Sequence, residues 1–177
     1  LVDAVDQDIW DICNIAVETE RAKMISFSAP YALIEANFMV RKDSNFISYA
    51  DIDTSGVTIA AYHRSAYDLW LSKNLSYATL VKSESIDQSH KDFKAGATSV
   101  LASLKPKLLE EVTANDAYRI INPSFSDIKQ AVGIKKGNPE ALVFINTLIT
   151  TLIKTGFVAK SFEKHRVAEK LGVPKIK

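Results

Sequence analysis

The sequence predicts an α/β fold with mainly parallel sheets, and three observations carry that prediction. Short runs rich in branched and aromatic residues recur along the chain, as at 9–17, 57–62 and 98–102. Stretches of helical periodicity separate them, most plainly Leu142, Ile145, Leu148, Ile149 and Leu152. Helix punctuation stands between the two patterns: Asn138 reads as an N-cap, Pro139 as the first helical residue, and Gly156 as the stop of the same helix. Strands alternating with helices throughout a chain mark a sheet covered by helices.

Taken in order, residues 1–7 read as the end of a helix and 9–17 as a buried strand. Thr19 is placed to cap a turn around Arg21, and 25–28 is a short extended piece. Residues 38–42 form a strand by composition. Residues 44–55 are polar, with Ser48, Asp51 and Asp53 as turn or cap formers, and Gly56 closes them. A strand at 57–62 leads through 63–65 into a helix from Ala66 to Lys73, stopped by Asn74, with Leu69 and Trp70 as its buried positions. Another strand, 78–82, precedes a helix at 84–95 that Gly96 ends. The strand at 98–102 is followed by a helix over 104–114, which buries Leu104, Leu108, Leu109 and Val112 and carries Pro106 in its first turn, where proline is tolerated. The last strands are 118–121 and 129–134; after the helix from Asn138, a final amphipathic helix runs from Phe157 to Arg166 and the tail beyond it is loose.

Composition narrows the function classes. A chain of 177 residues buries a substantial core as one domain or two small lobes. A net charge of +1 gives no reason to expect nucleic acid or an anionic membrane surface as a partner. Cys13 lies in an apolar run and reads as a small buried hydrophobe, and His63, His90 and His165 lack ligand spacing, so no metal and no cofactor are expected. There is no Gly-x-Ser-x-Gly elbow, no phosphate loop, no internal repeat, no low-complexity stretch, and no run long and apolar enough to span a bilayer. Lys105 and Lys107 flank a proline and read as solvated; Glu110 and Glu111 read as solvent-facing.

Two places invite a ligand. Arg21 follows directly on an apolar strand, where open α/β sheets place their binding crevices, and its planar fork suits a carboxylate. A surface salt bridge is the competing reading. The second place is the segment 62–67, a strand end, a short loop and a helix N-terminus that gather unpaired N–H groups. A carboxylate there gains about 0.3–1 kcal/mol from the helix dipole. Ser65 is equally an ordinary N-cap, and the two readings are compatible.

Thr19-x-Arg21 followed by Phe27-Ser28-x-Pro30-Tyr31 resembles the signature of the family 3 extracellular solute-binding proteins, the polar amino-acid receptors of bacterial ABC importers. The similarity continues through Asp43-Ser44, Ala50-Asp51-Ile52, Arg64-Ser65-Ala66-Tyr67-Asp68-Leu69, the segment 131–140, and Gly156-Phe157. The resemblance implies a two-lobed type II periplasmic-binding-protein fold. Lobe one would hold 1–34 and 129–177, lobe two 35–128, with the ligand between them. The chain begins inside the family's first lobe, so that lobe's opening is expected to be missing. The implied role is a periplasmic receptor, or an extracellular lipid-anchored one, that binds a small carboxylate-bearing solute and engages a membrane permease.

The resemblance also assigns residues. Arg21 matches the arginine that binds the ligand carboxylate, and Ser65 matches the serine of a Gly-Ser pair in the lobe-two loop, with Ala66 beside it. Arg64 stands where glycine is common, which restricts how closely the backbone approaches a ligand. Asn14 and Ala16 lie where the first-lobe strand offers contacts, though the spacing from Asp11 to Arg21 is one residue short. Tyr31, Phe38 and Trp70 read as core. The family's ammonium-binding aspartate has no counterpart in Ser103-Leu104-Lys105-Pro106, so a ligand without an amine is expected, unless an acid in the missing opening of the first lobe supplies the charge or Asp68 turns toward the ligand. Two alternatives share the fold: a cyclohexadienyl-dehydratase-like enzyme and the sensing module of a signalling protein.

Overall fold

The computed structural model describes residues 1–7 and 9–176. The chain forms two compact units, one built from residues 1–34 and 128–177 and the other from 35–127. Two ten-residue strands, Ala32–Arg41 (β3) and Ser126–Lys135 (β8), carry the backbone from one to the other.

In the discontinuous unit, Ile12–Ala16 (β1) and Ile25–Phe27 (β2) both pair antiparallel with β8. Alternation sets the faces of β1: Cys13 and Ile15 point into a core with Val5 and Ile25, while Ile12 and Asn14 are exposed. Gly133 of β8 sits opposite Cys13 and Phe27. A Cβ there would lie 2.7 Å from Ile25 Cγ2 and 3.1 Å from Cys13 Sγ, so the packing requires a residue without one. Helices Pro139–Lys154 (α5) and Phe157–Lys164 (α6) complete the unit. Asn138 caps α5 by accepting from the Ala141 N–H at 3.0 Å, with Pro139 at its first position. Gly156, at φ +75, takes the left-handed turn after it. Within the stripe expected to be buried, Ile149 is buried but Leu148 is exposed. The tail is not loose throughout, because Leu33 and Gly172 exchange backbone hydrogen bonds at 2.7 and 2.8 Å.

The continuous unit is a mixed sheet. β3 pairs antiparallel with Val100–Leu104 (β6) and with Tyr118–Ile120 (β7). Thr58–Tyr62 (β4) runs parallel to β6 and to Thr79–Ser83 (β5). The expected α/β class holds, but among the described residues the parallel pairs are β4 with β5 and β4 with β6. These three are joined by helices Ala66–Asn74 (α2) and Ile86–Lys94 (α3); Tyr49–Ile52 (α1) and Lys105–Ala114 (α4) lie on either side. Met39, Ala60, Phe93, Leu101, Leu108 and Tyr118 form the core. α2 buries Tyr67, Asp68 and Leu71 rather than Leu69 and Trp70, which are half-buried. The reason is a small aromatic cluster: Trp70 packs on Tyr49 and Phe125, and Phe125 stacks on the buried Phe38. Because β4, β5 and β6 are parallel, their carboxyl ends at Tyr62, Ser83 and Leu104 lie at one edge, where α2, α3 and α4 begin.

Candidate functional site

In the first unit, the structure gathers Asn14, Ala16 and Arg21 at the carboxyl end of β1. A one-turn 3₁₀ helix, Arg21–Lys23, follows the strand. Glu18, not Thr19, organises the turn: its Oε2 accepts from the N–H groups of Glu20 at 2.7 Å and Arg21 at 3.4 Å. The longer carboxylate reaches both donors and carries a full charge. Arg21 Nη1 donates to the Ala16 carbonyl at 3.0 Å, so the half-buried guanidinium is oriented by the backbone end of β1. Asn14 is exposed, and its Oδ1 accepts from the Tyr31 hydroxyl at 3.3 Å.

In the second unit, Arg64, Ser65 and Ala66 form the turn from β4 into α2. Arg64 has φ +59, the left-handed conformation that glycine adopts without cost. Its N–H donates to Asp68 Oδ2 at 2.7 Å, and Ser65 Oγ accepts from the Asp68 N–H at 3.1 Å. Ser65 is therefore the N-cap of α2 and Ala66 its first residue. Asp68 is fully buried; Ser72 Oγ lies 3.4 Å and Lys82 Nζ 3.5 Å from its Oδ1. That carboxylate closes its own turn.

The parallel strands' carboxyl ends enclose a cavity of about 500 Å³ lined by Tyr62, Tyr67, Ser85, Ile86, Asp87, Ser103, Leu104 and Lys107. Beneath it runs a polar chain that the sequence did not announce. Ser103 Oγ lies 3.3 Å from His90 Nε2, and Glu111 Oε1 lies 2.8 Å from His90 Nδ1. Lys94 Nζ reaches Glu111 Oε2 at 3.1 Å. Burial pushes the His90 pKa down, against the raising effect of Glu111. Burial works against the Glu111 charge as well, but the His90 and Lys94 bonds outweigh it and hold that carboxyl below the usual range. A neutral His90 facing an ionised Glu111 carries its proton on Nδ1, which leaves Nε2 to accept from the Ser103 hydroxyl.

Two expectations fail here for one reason. Glu111 is 16 % exposed rather than solvent-facing, and Lys105, 25 % exposed, pairs with Glu35 at 2.6 Å rather than standing in water. Each has a partner far along the chain that no local pattern reveals. Glu110 and Lys107 keep to the expected surface and pair with each other at 3.0 Å.

Comparison with known proteins follows the same lines. A family model described as bacterial extracellular solute-binding proteins, family 3, matches residues 1–168. The chain is 24 % identical over 155 residues to the L-cystine-binding protein TcyJ of Escherichia coli K12, covering 86 % of this chain and 58 % of that protein's length. It superposes on the solute receptor for L-cysteine of Neisseria gonorrhoeae with a TM-score of 0.82 and 19 % identity, over 98 % of this chain and 74 % of the other. It likewise superposes on an ancestral amino acid-binding protein, a precursor of cyclohexadienyl dehydratase, with a TM-score of 0.75 and 22 % identity, over 92 % and 72 %. The fold is that of these two-lobed binding proteins, and the chain spans part of their length.

Proposed function

Because the chain belongs to the bacterial extracellular solute-binding proteins, family 3, we propose that it is a substrate-binding receptor for a small carboxylate-bearing solute, an amino acid or a related compound. In this reading the protein works in the periplasm, or outside the cell on a lipid anchor, and delivers its solute to the membrane permease of an ABC importer. It performs no chemistry of its own. The observation that carries the reading is Arg21, whose guanidinium is held at the end of β1 by the Ala16 carbonyl; a guanidinium is the side chain best suited to recognise a carboxylate. Beyond the Ser65 cap, whose own N–H donates to the Tyr62 carbonyl, the N–H groups of Ala66 and Tyr67 in the first turn of α2 supply donors for the same chemistry in the other unit. The test is mass spectrometry of solute released from protein purified without added ligand, followed by titration of that solute. A carboxylate-bearing solute that binds wild type and is lost in Arg21→Ala is expected. Affinity unchanged by Arg21→Ala overturns the assignment.

A second reading has one observation behind it. The similarity to a precursor of cyclohexadienyl dehydratase, together with an acid and a histidine beside a cavity, fits a dehydratase on the same scaffold. Turnover of prephenate or arogenate separates it from a receptor.

A further inference from the structure

The net charge of +1 conceals a partition along the chain. Residues 135–177 hold nine Lys or Arg against three Glu, whereas the residues before them hold 13 against 18 acids. The basic stretch contains α5, which carries no charged residue between Glu140 and Lys154. α5 is apolar on two sides. Its inner side is set by the buried Ile149 and by Asn146, whose Oδ1 accepts from the Ala29 N–H at 2.7 Å. At about 100° per residue, the opposite side holds Val143, Phe144, Thr147 and Thr151, with Leu148 at its border. Val143 is 67 % and Phe144 69 % exposed, and with Pro139, Glu140 and Thr147 they line a shallow groove of about 510 Å³. A helix that is apolar all round belongs in a core or against a membrane.

The residues bordering the outer side point to its occupant. Lys136 precedes α5 and Lys154 ends it. α6 leaves at 67° to α5, and Phe157, Lys160 and Lys164 recur at i, i+3 and i+7 on its exposed side. These four lysines are exposed, and among the described residues no ion pair holds them. An apolar strip with a lysine at each end is complementary to an anionic lipid surface. Val143 and Phe144 can enter the boundary between headgroups and acyl chains while the lysine stems reach up to the phosphates. No single helix is long and apolar enough to cross a membrane, so the fit is to a helix lying in the surface plane. A second copy of the chain fits less well. Two-fold pairing of α5 with itself would set Lys136 of one copy against Lys154 of the other.

We propose that the outer side of α5, with the corner it makes with α6, is a docking surface for an anionic lipid membrane. Val143 and Phe144 insert, and Lys136, Lys154 and Lys160 meet the lipid phosphates. The surface uses none of the residues assigned to the solute, so it goes beyond the receptor reading and fails or stands apart from it. A receptor held in this way meets its permease by diffusion along the bilayer instead of through bulk solution.

The experiment sediments the whole chain with vesicles of phosphatidylcholine and phosphatidylglycerol and, separately, of phosphatidylcholine alone. Binding to the anionic vesicles is expected to be at least about tenfold tighter and to weaken as salt is raised. The double variant Val143→Ser with Phe144→Ser should weaken that binding at least about tenfold, through the apolar area it removes. Its unfolding midpoint should barely move, because both side chains are exposed in the free protein. Lys154→Gln with Lys160→Gln should weaken binding and flatten its salt dependence. Ile47→Ser, at an aliphatic residue 75 % exposed in the other unit, should bind as wild type, which general apolar stickiness would not give. The fluorescence of Phe144→Trp should shift to the blue on the vesicles. No binding to anionic vesicles, equal binding to both kinds, wild-type binding by the Val143 and Phe144 double variant, or a bound Phe144→Trp with unshifted emission each overturns the proposal. A dimer in sedimentation equilibrium that the same double variant dissociates also overturns it, since the face would then belong to a second copy.

Discussion

Replacing Arg64 with glycine and, separately, with alanine isolates the backbone strain at the turn into α2. The residue holds φ +59, where a side chain's Cβ crowds the following carbonyl at roughly 1–2 kcal/mol. Both variants lose whatever the arginine side chain contributes, so that contribution cancels between them. Both retain the N–H that donates to Asp68 Oδ2 at 2.7 Å, so the turn keeps its main constraint. Glycine relieves the strain but brings about 0.5–1 kcal/mol more backbone entropy to lose on folding. The glycine variant should therefore be the more stable by about 0.5–1 kcal/mol. With a urea slope of about 1–3 kcal/mol per molar, the midpoints should separate by a few tenths of a molar at equal slope. Solute affinity of the glycine variant should equal or exceed wild type, since the backbone next to Ser65 becomes more approachable. An alanine variant as stable as the glycine variant, or more so, would refute the strain argument.

Gly133→Ala should cost about 1–3 kcal/mol by overpacking, because the γ2 methyl of Ile25 stands 2.7 Å from the new carbon on a side chain stiff at χ1; adding Ile25→Leu, which removes that methyl, should recover part of the loss in urea unfolding. Arg21→Ala should weaken carboxylate binding by about 1.5–3 kcal/mol in calorimetry while the thermal midpoint barely moves. Acid stability should fall in two limbs. Burial depresses the His90 pKa, so the stability linked to it is present above the ordinary histidine value of about 6.5 and is lost as pH falls through the folded value. The charged groups acting on it are Glu111, Lys107 and Lys94, and His90→Gln should flatten this limb. Burial opposes the Asp53 charge, but bonds from the Ala78, Tyr77 and Ser76 N–H groups outweigh it and lower its pKa. Its contribution is present above about pH 4 and disappears below, and Asp53→Asn should flatten that second limb alone.

What could be read beforehand was local. Asn138 followed by Pro139 marks the start of α5 because cap and first-turn chemistry act within three residues, and Gly156 marks the turn after it for the same reason. The cap reading of Ser65 succeeded on equally short range. β3 was anticipated only from residue 38, since Glu35 and Asn37 interrupt an apolar pattern; Asn37 is nevertheless buried, its Nδ2 donating to the Ile121 carbonyl at 3.0 Å. Thr19 looked like the cap on residue type, yet a glutamate one residue earlier reaches two amides. The chain from Ser103 through His90 to Glu111 joins a strand and two helices, and no spacing in the sequence reports that they meet. Arg64 is the instructive intermediate: its departure from glycine was visible, but the positive φ that makes the departure costly was not.

The discontinuity of the first unit imposes an order on synthesis. β1 and β2 come before β8 in the chain, and their partner lies on the far side of the whole of residues 35–127 in sequence. The second unit is continuous, so it can complete its core before β1 and β2 meet β8. Cys13, Ile15 and Ile25 gain their packing against Gly133 only at that point. Closure of the first unit thus waits on the delivery of β8 rather than on the folding of the second unit, and a holding chaperone would find its target in the segment 12–27.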